Sequence, residues 1–107
     1  MIVVTTDSIA GKTVTETLGI VRGNTIRARH LGKDILAAMK NMVGGEIEEY
    51  TKMMAESREQ CIDRMIEEAL AIGADAIIGV RFSTSSMMQS AAELLVYGTA
   101  VKLGDVK

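Results

Sequence analysis

The strongest constraint on this chain lies between Glu46 and Ile72. This charged and apolar run has helical spacing, and it ends at Gly73, just ahead of the β-branched segment Ala76-Ile77-Ile78-Gly79-Val80-Arg81-Phe82. A helix C-terminus favours a glycine there, because the chain turns off in a left-handed conformation that a side chain resists. Ile47, Tyr50, Met54, Cys61, Ile62, Met65, Ile66, Ala69 and Leu70 form one broad stripe, and Glu56, Glu59, Asp63 and Glu67 line the opposite side. At 1.5 Å per residue the helix spans about 40 Å, more than a compact domain of this size needs. One end must therefore pack elsewhere, and a neighbouring copy is the expected partner.

The remaining segments supply what this helix packs on. Ile2 to Thr6 is a short β-branched run, and Ser8 to Lys12 reads as a turn. Thr13 to Arg22 alternates like a strand, with Val14, Leu18 and Ile20 on one face and Glu16 as the misfit. Gly23-Asn24 fits a two-residue reversal, so Thr25 to Ala28 either continues the strand or returns as a hairpin. Leu31 to Val43 leans helical through Ile35, Leu36, Met39, Met42 and Val43, and Gly44-Gly45 breaks it from the longer helix. Ala76 to Ser83 reads as a central strand, with Ile78, Val80 and Phe82 on one face and Ile77, Gly79 and Arg81 on the other. Ser83 to Ser90 reads as a polar loop, Glu93 to Leu103 as the last strand, and Gly104 to Lys107 as a frayed tail. The fold class is α+β: a small antiparallel or mixed sheet packed by one long helix and a shorter preceding one. Residues 1–107 form a single domain.

Composition narrows the function classes. The chain is 48% apolar with eight Met, yet no apolar run approaches a membrane span. Surplus apolar surface in a chain with no span points to self-association. No signal peptide is evident and the single cysteine cannot form an intrachain disulfide, so a reducing cytoplasmic setting is expected. Residues 1–45 carry six basic and three acidic groups, whereas 46–72 carry three basic and eight acidic. This asymmetry suggests complementary surfaces and does not suggest a nucleic-acid binder, whose basic residues would dominate one face.

The chemistry-bearing residues are few. His30 and Cys61 are the only histidine and cysteine, and neither sits in a CxxC or HExxH spacing. Pooled around a symmetry axis they would be metal candidates, together with the acidic row of Glu56, Glu59 and Asp63. Taken singly they read as a surface histidine, a small apolar cysteine on the buried stripe, and a solvated helix face. No nucleophile–base pair or phosphate loop stands out, so no enzymatic activity is expected.

Five segments in register then resemble one family. They are Thr5-Thr6, Leu18-Gly19-Ile20-Val21-Arg22-Gly23, Val43-Gly44-Gly45 with Tyr50, Gly73-Ala74-Asp75-Ala76-Ile77-Ile78-Gly79-Val80, and Tyr97-Gly98-Thr99-Ala100-Val101. This set resembles the YbjQ family from about residue 1 to 103. The resemblance implies a dodecin-like subunit assembling into a homopentamer with the help of small extra strands. It also brings a heavy-metal-binding label with no ligand set attached, so a metal ion is the one cofactor it suggests. Arg81 and Ser83 stand where relatives often carry acidic residues, which speaks against an acidic ion site in that strand. Gly44, Gly45, Tyr50, Gly73, Gly79, Tyr97 and Gly98 are the expected packing positions. The overall expectation is a non-enzymatic homo-oligomer binding a small ligand or partner at subunit interfaces, with heavy-metal or divalent-cation binding as the alternative.

Overall fold

The computed structural model describes residues 1–27, 45–88 and 91–106. The expected first helix, Leu31 to Val43, lies outside them, as do His30 and Gly44. The elements are β1 (Ile2–Val3), β2 (Lys12–Arg27), α1 (Gly45–Ala71), β3 (Ala76–Met88) and β4 (Ala91–Asp105). They build a four-stranded sheet in the order β1-β3-β4-β2. β1 runs parallel to β3, and β4 pairs antiparallel with β3 on one side and β2 on the other. β3 and β4 are therefore the inner strands, with β1 covering only the start of β3.

The helix forms where its spacing places it, and its end is locked by backbone geometry. Gly73 has φ +78°. Its N–H donates to the Leu70 carbonyl at 3.1 Å, and the Ala74 N–H donates to the Ala69 carbonyl at 3.1 Å. These two bonds are the Schellman pair, and the buried Ala69 and Ala74 supply the apolar contact that accompanies it. Asp75 then ties the turn to the sheet. Its N–H donates to Val101 O at 2.9 Å, and its carboxylate accepts the Leu103 N–H at 2.9 Å. Gly73→Ala forces a Cβ into the left-handed region and is expected to cost about 1–2 kcal/mol. Thermal unfolding checks this; an unchanged midpoint would contradict the assignment.

The helix lies over β2 and β4 and barely touches β3. Ser57, Cys61, Met65 and Ala69, at steps of four, are its fully buried row. Cys61, Met65 and Ala69 pack with Val21, Val80, Leu94, Val96, Ala100 and Ile77 in the core. Three of the four helix residues are small, which lets the helix come close. Gly23 is where it comes closest: a Cβ there would run into the Cys61 carbonyl oxygen and lie 2.7 Å from the Met65 nitrogen.

One open alternative is settled and three expectations are corrected. Of the two courses left open at Gly23-Asn24, the strand continues: β2 runs through it in register with Val96 and Leu95. Ser83 to Met88 is strand, paired with β4 from Leu95 to Ala91 with one register shift between Ser86 and Met88. Gly104 and Asp105 belong to β4 and pair with Thr13 and Lys12. Lastly, the strand faces do not alternate without interruption. A bulge lies between Ile78 and Arg81, where Gly79 has φ +62°, so Ile77 and Val80 share the helix face while Ile78 and Arg81 share the other. Gly98 stands opposite this bulge, and a Cβ on it would lie 2.7 Å from Ile77 Cγ2 and 3.0 Å from both Ile78 O and Val80 Cγ2. Another irregularity between Thr17 and Gly19 separates Leu18, which packs on the core, from Ile20, which is 75% exposed.

At the far end of β2 and β4, Lys12 Nζ and Asp105 Oδ1 pair at 2.7 Å on the open surface. The Lys12 hydrogen bond and charge hold the Asp105 carboxyl below its usual range, and the same contacts raise the Lys12 ammonium. The pair's contribution is therefore present between the two ordinary values. It is lost as pH falls through the lowered Asp105 value or rises through the raised Lys12 value. Exposure and salt screening keep it small. The melting difference between wild type and Asp105→Asn is expected to be slight at neutral pH and to vanish in molar salt; a large, salt-insensitive difference would contradict this.

Candidate functional site

The structure places the candidate metal ligands on different sides of the helix. Cys61 is fully buried against the sheet. Its thiol donates to the Leu94 carbonyl at 3.2 Å and lies 3.6 Å from Thr25 Oγ1. Glu56, Glu59 and Asp63 are exposed on the outer face of the helix. Among the described residues, no three His, Cys, Asp or Glu side chains come together as a metal-holding group. His30 lies outside the described residues, and so does the side chain of Tyr50.

Sequence reasoning missed two members of the buried row's surroundings, Thr25 and Ser57. The signal for Ser57 is its place four residues before Cys61, which the apolar stripe skipped because serine is polar. Among the described residues every buried side-chain nitrogen or oxygen has a hydrogen-bond partner, so this layer has no orphan group aimed at a ligand. It is a packed seam between helix and sheet.

The other face of the sheet is the more distinctive surface. Val21, Gly23 and Thr25 point to the helix, so Ile20, Arg22, Asn24 and Ile26 point away from it. The register carries this face across the strands in rows. Ile20, Thr99 and Ile78 form one row, and Arg22, Tyr97 and Arg81 the next. Asn24, Leu95 and Ser83 follow, then Ile26, Glu93 and Ser85. Asn24 Nδ2 donates to Glu93 Oε2 at 3.1 Å, linking two rows. Arg81 Nη1 donates to the Thr5 and Val80 carbonyls, both at 2.8 Å, and so holds the Thr5-Thr6 segment against the bulge. Ile20, Ile26 and Tyr97 are all exposed. Tyr97, expected as a packing residue, thus lies on this open face within the protomer.

These features define a small α+β protein whose mixed sheet has one face under a helix and, among the described residues, the other face open. The family described as "Putative heavy-metal-binding", YbjQ, matches residues 1–104, and the chain belongs to it. It is similar to a UPF0145 protein of Methanosarcina acetivorans, 58% identical over 103 residues covering 96% of this chain and 97% of that one. UPF0145 proteins of Fervidobacterium nodosum and Archaeoglobus fulgidus are 60% and 57% identical, each covering 96% of this chain and 95% of the relative. A crystal structure from Pediococcus pentosaceus, described as a protein of unknown function in the DUF74 family, shares the fold. Its TM-score is 0.64 at 17% identity, covering 97% of this chain and 98% of that one. No helix among the described residues is long and apolar enough to cross a membrane.

Proposed function

We propose that this protein is a non-enzymatic, dodecin-like subunit that works in the cytoplasm as a homo-oligomer, a pentamer by family resemblance. It holds a small ligand or partner where subunits meet, and neither nucleic acid nor membrane is a partner. The observation that carries this reading is the open sheet face. Ile20 is 75% exposed and Ile26 54% exposed on regular strand, and the exposed Tyr97 lies in the row next to that of Ile20. Fully burying an exposed apolar side chain of this size is worth roughly 1.5–3 kcal/mol, and association of subunits would supply the share that these partly exposed groups still lack. The molecule's extents of 60 × 25 × 18 Å add to it. Its radius of gyration is 17.4 Å, against about 13 Å for a compact chain of 100 residues. Native mass spectrometry, followed by the same sample denatured, tests both halves: a discrete oligomer supports the assembly, and extra mass lost on denaturation identifies the ligand.

The second reading, a heavy-metal or divalent-cation binder, rests on the family's description. With Cys61 buried and Glu56, Glu59 and Asp63 outside, such an ion would need ligands from several subunits or from the undescribed residues. Elemental analysis of the purified protein and melting curves with divalent and soft ions test it. Retained metal, lost in a His30→Ala, Cys61→Ala double variant, would establish it. The absence of both retained metal and ion-dependent stabilisation would sink it.

A further inference from the structure

Two strand edges lie open on opposite sides of the sheet, and their chemistry differs. Val80 turns its N–H toward β1, where Val4 O accepts it at 3.1 Å. By alternation Phe82, Thr84 and Ser86 turn their amides the same way, but β1 has ended and no described strand lies beside them. This edge, Phe82–Ser83–Thr84–Ser85–Ser86–Met87–Met88, carries no charge and no proline, the usual devices that keep an edge unpaired. On the other side, β2 gives its inner amides at Val21, Gly23 and Thr25 to β4, so Arg22, Asn24 and Ile26 present theirs outward. Arg64 Nη1 donates to the Asn24 carbonyl, and the amides of Arg22 and Ile26 have no described strand beside them.

We infer that the open β3 edge of one subunit pairs with the β2 edge of the next copy, joining the sheets head to tail. This rests on the homo-oligomer reading and names the surface that makes it. β2 and β3 both run antiparallel to β4, so they point the same way, and the junction is a parallel pair that keeps every subunit in one orientation. Such a heterologous contact gives a ring where its rotation closes and a filament where it does not, and the discrete homo-oligomer of the proposed function requires the ring. The helix supplies the second argument. It covers β2 and β4 and reaches β3 only as far as the buried Ile77 and Val80; beyond them, among the described residues, the helix-side surface of β3 is bare, with Phe82 46% exposed and Thr84 also exposed. An arriving β2 brings its own helix over that bare surface and buries Phe82. A two-fold β3–β3 pair would bring two bare surfaces together and leave both β2 edges open.

Proline tests the two edges separately. It removes one outward amide while leaving the bonds to β4 intact. Thr84→Pro and Ile26→Pro are each expected to be folded single chains by circular dichroism and light scattering. Mixed together, they are expected to form a one-to-one pair, since each keeps the edge the other has lost. Thr84→Ala, which keeps its amide, retains the wild-type mass. Hydrogen exchange on the wild-type oligomer reads the same junction without mutation: the Phe82 and Thr84 amides are as protected as those of Ser83 and Ser85. An oligomeric wild type whose mass is unchanged by Thr84→Pro, an Ile26→Pro variant that stays dimeric, or Phe82 and Thr84 amides exchanging at solvent rates would each overturn the junction and leave the homo-oligomer reading standing. A wild type that is a single chain would overturn both.

Discussion

Gly23→Ala is expected to be among the most damaging small substitutions in this chain. Gly23 does not sit at positive φ, so the cost is not conformational; it comes from the helix. The new Cβ would meet the Cys61 carbonyl oxygen, with Arg64 Cβ at 3.0 Å and the Met65 nitrogen at 2.7 Å. Two of these three atoms are helix backbone, which cannot swing aside as the tip of a side chain can. The helix must lift from β2, loosening the seam that Cys61, Met65 and Ala69 make with Val21 and Val96. Overpacking of this kind costs about 1–3 kcal/mol, and backbone obstruction places Gly23→Ala at the upper end or beyond. Denaturant unfolding measures it. Gly104→Ala, whose Cβ meets only the Thr15 and Thr13 methyl groups, is the comparison and is expected to cost much less. Equal midpoints for the two variants would refute the close approach at Gly23.

Met65→Ala is the second large effect. Met65 is fully buried and is the largest side chain of the helix's inner row. Its small neighbours in that row, Cys61 and Ala69, cannot expand to fill the space it leaves. Truncation is expected to cost about 2–5 kcal/mol through lost transfer energy and the residual cavity. Leu70→Ala on the same helix is expected to fall within about 0.5 kcal/mol, because Leu70 is 59% exposed in the protomer. A large loss at Leu70 together with loss of the oligomer would instead place Leu70 in a subunit contact. Paired denaturant curves, with mass measured alongside, separate these outcomes.

Met65 and Leu70 also mark the limit of the helix pattern. Both belong to the apolar stripe by spacing, but a stripe wide enough to include both exceeds what one sheet can cover. Ser57 shows the converse, a polar residue buried because its step of four from Cys61 carries it under the helix. The pattern gave the helix bounds within a residue and the stop at Gly73, since both rest on local backbone preferences. Strand faces were harder to read. Ile77 and Val80 share a face only because Gly79 inserts a bulge, and nothing in the alternation of Ile78, Val80 and Phe82 signals it. Ser83-Thr84-Ser85-Ser86 reads as a loop on local composition and becomes strand because β4 offers it a long partner. Gly23 looked like a turn residue, whereas it is glycine for want of room under the helix.

The candidate site was less legible than the fold. Cys61 was placed correctly on the buried stripe, and that burial separates it from the acidic row it was grouped with. The open sheet face depends on Ile20, Ile26 and Tyr97 coming together from two strands. That register follows the irregularity between Thr17 and Gly19; a glycine inside a strand pattern signals a bulge, but the sequence does not say which partner residues it brings opposite.

The most direct test of the proposed assembly is the mass of the wild-type protein in solution at micromolar concentration, by light scattering or native mass spectrometry. One discrete species at a multiple of 11.5 kDa, closed and independent of concentration, is the expected result. A single species of 11.5 kDa across the same range would contradict it and leave Ile20, Ile26 and Phe82 exposed without a partner.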